Sequence, residues 1–505
     1  MMPRSGLGRG VLGASMALYL LSAAPTLLWG DDAELQRIAI TGESRAVGQS
    51  SAASHLLWQT VAGAFVRATA WLPVDAAGRV TLVSAIAGAI ALLPFAAVTT
   101  SLGQRAGLGP WAVGVASAVG TAAFGFGHTF WLLSARPDAY TVQVLLLATA
   151  LWGTVRSGVA VRPWLGLAVA ALAVGAALTN HVIILASVPG LALLGTARLR
   201  LTTRQVVVVT VSGVAVVVAG VGLGQWLGFP VWALVSAVAS YRAYIPSLRD
   251  AGLVLGYLLY QFPVALVLTV WAWVPLHRLG GRSAAGIAAM YLGVVGLMLF
   301  RYHPDMYVRD QYIFYLPSYL PVAICIGLGA GWLVDHPSPW LRMRGRVLAA
   351  TLLAMACAPV VVYPLAASIA GPVATRLAPA RTLPGRDPVW YYLWPPKTGY
   401  TGARDYVTAV FATLPPGAVV VADWLPYQTL RYVQAVEGGR PDVRLEMINA
   451  GDGRQVAFLK AQPAGTPLFL ADVSPPPYYE IDEIRACFDV LAVGVVYRLD
   501  RKAGC

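Results

Sequence analysis

The chain has 505 residues, of which 58% are hydrophobic and 12% charged, with a mean hydropathy of +0.66. Soluble domains carry about 25% charged residues, so a wholly soluble protein is excluded and much of the chain belongs in lipid. The formal charge of +13 does not call for a nucleic acid, because the arginines that produce it gather in the loops of one membrane side.

A hydrocarbon core of roughly 30 Å takes about 20 apolar residues per helix. Runs of this kind read as 11–30, 80–100, 110–132, 139–156, 163–179, 182–197, 205–227, 251–275, 283–300, 311–334 and 347–369. The expectation is an all-α polytopic membrane bundle with about eleven transmembrane helices. Arg4 and Arg9 before the first run resemble a signal peptide, and Ser22-Ala23-Ala24 would suit a peptidase. The run is long enough to span, so an uncleaved first helix with a cytoplasmic N-terminus is expected. The inner loops then hold Arg105, Arg156, Arg162, Arg198, Arg200, Arg204, Arg278, Arg282, Arg342, Arg344 and Arg346, with Asp335 their only carboxylate. This is the positive-inside pattern.

The groups able to do chemistry fall on the opposite, outer side. Asp31, Asp32 and Glu34 follow the first run and open an outer loop, 31–79, that also holds His55 and an apolar helix over 56–72. A carboxylate at this boundary can take a proton from a hydroxyl; the blander role is Asp32 as N-cap of a helix starting at Ala33. Arg136 and Asp138 lie between the third and fourth runs, Asp138 placed to cap the fourth helix and Arg136 to meet a phosphate or carboxylate. Asn180-His181 occupies the turn between runs five and six, and Arg242 stands with Tyr241 and Tyr244 in the loop 228–250, where headgroup anchoring is the ordinary role. Arg301, His303, Asp305, Arg309 and Asp310 crowd into one short loop, a mix suited to an anionic headgroup.

After residue 370 the texture becomes soluble. Pro384, Pro388, Pro395 and Pro396 punctuate an aromatic stretch, VWYYLWPP, that suits the headgroup region. Strands are expected at 418–423, 443–449, 466–472 and 490–499, alternating with helices at 426–437, 454–461 and 480–488. The chain thus divides into a membrane domain, 1–370, and a small α/β domain, 371–505, with a mostly parallel sheet. An odd number of spans places that domain outside the cell. Cys325 and Cys357 fall inside spans, whereas Cys487 and Cys505 could pair in an oxidising compartment. No P-loop, dinucleotide-binding turn, HExxH or nucleophile elbow stands in a suitable context. Paired aspartates with histidines leave Mg²⁺ or Mn²⁺ open as a cofactor, although no ligand spacing requires either.

Five stretches in order carry a resemblance: GDDAEL (30–35), GHTFWLLSARPDAYTVQVLL (127–146), ALTNHVIILASVPGLALL (177–194), DQYIFYLPSYLPVAICIGLG (310–329) and DWLPYQTLRYVQAVEGGRPDVRLEMIN (423–449). Together they resemble the GT-C superfamily of integral-membrane glycosyltransferases, and more closely a bacterial family related to protein O-mannosyltransferases. Where relatives often carry a His-Pro-Pro-Gly-Tyr-Pro-like run, this chain has QSSAASHLLWQ (49–59) and keeps only the histidine and an aromatic. The resemblance implies an inverting transfer of a sugar from a polyprenyl-phosphate donor to an acceptor hydroxyl on a protein, glycan or lipid. It implies Asp31 or Asp32 as the base, with Glu34 beside them. Arg136, His181, Arg242, Arg301, His303 and Arg309 would then meet the phosphate, and His55, Asp138, Asn180, Asp305 and Asp310 would support them. Two other classes stay open: a transporter or flippase of an amphipathic lipid-linked substrate, and a non-catalytic membrane assembly protein.

Overall fold

The computed structural model describes residues 6–43, 55–158, 162–196, 202–226, 245–301, 311–337, 345–377 and 381–505. Its contacts divide the chain into two units. The first comprises residues 1–23, 44–61 and 82–366, and the second 24–43, 62–81 and 367–505.

Helix α1 (Gly6–Ser22) is shorter than its apolar run. Pro25, which disfavours helix in the residue before it and lacks a backbone donor, stands just beyond its end. The rest of the run, Ala24, Leu27, Leu28 and Trp29, is buried in the core of the second unit. Helix α2 (Asp31–Thr41) follows, then α3 (Leu56–Ala68), α4 (Ala76–Arg105), α5 (Pro110–Gly125), α6 (His128–Ser134), α7 (Tyr140–Ser157), α8 (Pro163–Leu178), α9 (Val188–Thr196) and α10 (Thr203–Trp226). The first unit continues with α11 (Leu248–Gln261), α12 (Trp273–Leu279), α13 (Gly281–Phe300), α14 (Leu316–Asp335) and α15 (Gly345–Cys357), and α16 (Pro359–Leu377) leads onward.

Among the described residues, 4 helices are long and apolar enough to cross a membrane, or up to 6 if each of two bent pairs counts as one span. This is a multi-pass membrane protein, but several of the eleven expected runs fold as shorter or broken helices. The run 110–132 bends by 65° between α5 and α6, and 251–275 bends by 102° after α11. A break frees backbone groups that lipid cannot satisfy. Here side chains satisfy them: Gln261 Oε1 accepts from Thr129 N at 2.9 Å, and Tyr363 Oη accepts from His128 N at 2.7 Å and donates to Tyr260 O at 3.0 Å. Elsewhere in this unit Leu108, Ala112, Val113 and Ala116 pack against Trp332 of α14.

In the second unit, α17 (Pro388–Leu393) and α18 (Gly402–Thr413) precede β1 (Val419–Ala422), α19 (Trp424–Glu437), β2 (Arg444–Met447), α20 (Arg454–Lys460), β3 (Leu468–Leu470), α21 (Ile481–Cys487), β4 (Phe488–Val493) and β5 (Val496–Arg501). The sheet order is β2-β1-β3-β5-β4. β1 is buried on both faces: Val420 and Ala422 face α18 and α19, while Val419 and Val421 face Leu459, Ile481 and Ile484. β1 pairs in parallel with β2 and β3, but β5 runs antiparallel to both β3 and β4. The expected single strand 490–499 is therefore a hairpin, and the sheet is mixed rather than mostly parallel. Gly494, at φ +60°, makes the two-residue turn that reverses the chain. Cys487 and Cys505 form a disulfide.

The expected outer loop 31–79 divides between the units: 31–43 and 62–79 group with the α/β sheet, whereas 55–61 group with the first unit. Leu27, Leu28 and Trp29 just before the loop, with Ala33 and Ala77 inside it, complete one of the sheet's two hydrophobic layers.

Candidate active site

The acidic cluster sits on the first turn of α2, inside the second unit. Gly30 starts that helix at φ 56° and ψ −123°, and a Cβ there would lie 2.5 Å from Leu425 Cδ2, so only glycine fits this entry. The helix begins at Asp31, and Gly30 offers no side-chain cap; the expectation of Asp32 capping a helix from Ala33 is corrected. Three acids in the first turn sit favourably against the helix dipole.

Each acid meets a different partner, which separates charges that would otherwise repel. Asp31 is exposed and accepts a hydrogen bond from Trp424 Nε1. Asp32 is 1% exposed and accepts from Tyr391 Oη at 3.0 Å. Glu34 is fully buried, with Gln428 Nε2 at 3.4 Å and Arg37 Nη2 at 3.9 Å. A base must reach its substrate, and of the three only Asp31 lies open.

Tyr391 organises a second layer. Arg386 lies over its ring at 4.9 Å and Lys397 at 5.1 Å, both side chains buried. Arg386 Nη2 donates to Tyr392 Oη at 2.6 Å. Tyr400 Oη accepts from Trp29 Nε1 at 2.6 Å and donates to Gly385 O at 2.8 Å. Burial pushes the Tyr400 hydroxyl up to about 12, against the opposing pull of the Trp29 bond and the Arg386 charge, so it stays protonated and can donate. None of these residues was expected at the site. The available signal was Arg386 and Lys397 bracketing VWYYLWPP, a stretch that suits a lipid interface but whose Tyr391 is instead buried in the domain core.

The first unit holds a separate polar network. His55 Nδ1 lies 2.9 Å from Asn180 O, and Asn180 Nδ2 donates to Ala139 O and Gln143 Oε1, both at 3.0 Å. His181 Nδ1 accepts from Ile183 N at 3.0 Å and its Nε2 lies 3.1 Å from Tyr140 Oη. Both nitrogens of His181 are thus engaged within the protein. Burial lowers His55 to about 4; burial and then the neighbouring His55 lower His181 to about 3. Both folded values lie below the unfolded value near 6.5, so the unfolded chain binds more protons between them and stability falls as pH falls from about 6.5 toward 4. Melting in detergent is expected to drop between pH 7.5 and pH 5, and a His55→Gln/His181→Gln double variant to flatten that slope.

Asp138 Oδ1 accepts from Tyr140 N at 2.7 Å and its backbone N donates to Ser84 Oγ at 2.8 Å; the N-cap of α7 is Ala139, so the expectation of Asp138 as the cap is corrected by one residue. Arg136 is buried, and Arg301 is exposed at the end of α13. Arg242, His303, Asp305, Arg309 and Asp310 lie outside the described residues. Among the described residues no three His, Cys, Asp or Glu side chains group as a metal site would require.

Residues 57–204 match the family model of the protein O-mannosyl-transferase TMEM260 N-terminal domain. No curated protein matches the chain. Among solved structures, the chain is similar to ArnT from Cupriavidus metallidurans bound to undecaprenyl phosphate, with a TM-score of 0.54 at 13% identity over 99% of each chain. The apo state of ArnT from the same organism gives a TM-score of 0.52 at 14% identity over 97% of each chain. At such identity the likeness is one of fold, and it runs the length of the chain.

Proposed function

We propose that this chain, a GT-C superfamily protein related to the protein O-mannosyltransferases, transfers a sugar from a polyprenyl-phosphate donor to an acceptor hydroxyl on the outer face of the membrane. The observation that carries it is the exposed Asp31, oriented by Trp424 while its neighbours Asp32 and Glu34 are withdrawn into the protein. Asp31 takes the proton of the acceptor hydroxyl as that oxygen attacks the anomeric carbon. The bond from that carbon to the phosphate oxygen breaks, and polyprenyl phosphate leaves with the electron pair. One displacement inverts the anomeric centre. The lipid phosphate calls for cations, guanidinium above all. Arg136 and Arg301 are the described candidates, with Arg242, His303 and Arg309 proposed beside them. Undecaprenyl phosphate in the ArnT structure supports a polyprenyl donor, and the O-mannosyl-transferase match over 57–204 supports a protein acceptor. In this scheme the N-terminus is cytoplasmic and the α/β domain extracytoplasmic.

The two broken spans favour one other reading, a flippase, because transporters build their sites on discontinuous helices. One experiment separates the two. Purified protein is incubated in vesicles with polyprenyl-phosphate sugars, and both free polyprenyl phosphate and donor sidedness are measured. Transfer releases polyprenyl phosphate; movement of intact donor between leaflets without release would favour the flippase.

A further inference from the structure

We propose that a cavity in the α/β domain is the acceptor subsite and takes a polypeptide segment carrying a carboxylate close to the hydroxyl that is glycosylated. The proposal rests on sugar transfer as the activity and names its acceptor class. The cavity has a volume of about 600 Å³ and is lined by Thr382, Arg386, Asp387, Asp472, Val495 and Tyr497 among others, within the range of roughly 300–1,000 Å³ usual for ligand sites.

Ligands in open α/β sheets sit outside the carboxyl ends of the strands, and Ala471 and Asp472, immediately past the carboxyl end of β3, form part of the lining. Gly494 and Val495, from the turn that leads into the neighbouring β5, line it as well.

Charge identifies the ligand. Arg386 is 4% exposed, makes one side-chain hydrogen bond, to Tyr392, and its Nε has no partner among the described residues. Nor does any described carboxylate pair with it, unlike the neighbouring Arg381, which holds Asp423 and Asp472. A buried guanidinium without a counter-charge is costly, and an incoming oxyanion would relieve that cost. The two carboxylates on the lining are already engaged: Asp387 accepts from Val389 N and Trp390 N, and Asp472 from Arg381 Nε and Ser474 Oγ. With two carboxylates on the lining, a dianionic phosphate would meet more repulsion than a single carboxylate held in the arginine's fork. Val495 and Tyr497 supply an apolar and an aromatic wall for neighbouring side chains. One ring, Tyr391, stands between Arg386 and Asp32, the residue that follows the proposed base.

The test uses full-length protein in detergent and two labelled serine peptides that differ only by Glu or Gln next to the serine. Binding is read by anisotropy without donor, and donor loss to water is read without peptide. The Glu peptide is expected to bind about tenfold tighter. Arg386→Gln should erase that preference, and Thr382→Glu, a carboxylate added at an exposed lining position, should weaken the Glu peptide alone. Thermal unfolding checks that each variant is folded; should Arg386→Gln unfold, Thr382→Glu decides. Equal binding of the two peptides by the wild type, or a preference that survives the deciding variant, overturns the proposal. Displacement of the Glu peptide by inorganic phosphate at lower concentration than by acetate also overturns it. If the donor is consumed but the peptides bind alike, only the acceptor subsite fails. If the Glu preference holds and no donor is ever consumed, sugar transfer fails while the cavity stands.

Discussion

Asp31→Asn is expected to lower sugar transfer by about a thousandfold while leaving the melting temperature within a degree or two of wild type. General-base catalysis contributes roughly 10²–10⁴ in rate, and asparagine removes the basicity while its Oδ1 can still accept from Trp424 Nε1. Asp32→Asn should behave differently. Its oxygen can still accept from Tyr391, so the arrangement of Tyr391, Arg386 and Lys397 survives and the loss should stay below about tenfold. Asp32→Ala strips Tyr391 of its acceptor and should cost about 1–3 kcal/mol of stability, the penalty for an unmet buried polar group. Transfer rates with a fixed polyprenyl-phosphate sugar, together with melting curves, separate these outcomes. Retained activity in Asp31→Asn with loss in a folded Asp32→Asn would exchange the two roles, and full activity in both would remove the base from α2 altogether.

The acidic cluster was legible in the sequence because carboxylates at the end of an apolar run have few ordinary reasons to be there. What the sequence hid was the difference among the three. Asp31 and Asp32 are adjacent in the chain, and only their partners, Trp424 and Tyr391 from residues hundreds of positions away, make one open and the other buried. Most of the C-terminal strands and helices also followed from pattern, since β1 is a continuous valine run and α19 is amphipathic. The hairpin β4–β5 did not, because VLAVGVVYRL reads as one strand unless Gly494 is given a positive φ. Broken spans escaped for a related reason. Hydropathy averages over a bend, and the polar groups that make the break tolerable, Gln261 and Tyr363, contribute little to a window of apolar neighbours. The first run misled most: its last residues are apolar, yet they fill a protein core rather than lipid, and composition cannot tell those two solvents apart.

Arg381→Met is expected to destabilise the α/β domain by about 3–5 kcal/mol, the range seen when one partner of a buried ion pair is removed. Arg381 donates to both oxygens of Asp423, at 2.6 and 2.5 Å, and through Nε to Asp472 at 2.7 Å, with its guanidinium 4.2 Å over the Tyr478 ring. Burial works against its charge, but the hydrogen bonds and attraction of Asp423, with Asp472, hold its pKa above the usual guanidinium value. Methionine would leave two carboxylates at the ends of β1 and β3 without their cation. Lysine is expected to recover little, because a point charge cannot span both oxygens of Asp423. An Arg381→Met/Asp423→Asn double variant should be more stable than Arg381→Met alone, since the stranded charge is what costs most; a double variant as unstable as the sum of its parts would mean that packing, not charge, is at stake. Denaturant titrations of the wild type, the two Arg381 single variants, Asp423→Asn and the double variant decide this. The effect should reach the reaction as well. Asp423 directly precedes Trp424, so the ion pair that fixes the end of β1 also fixes the indole that aims Asp31, and folded Arg381 variants should lose transfer activity by more than their loss of stability accounts for.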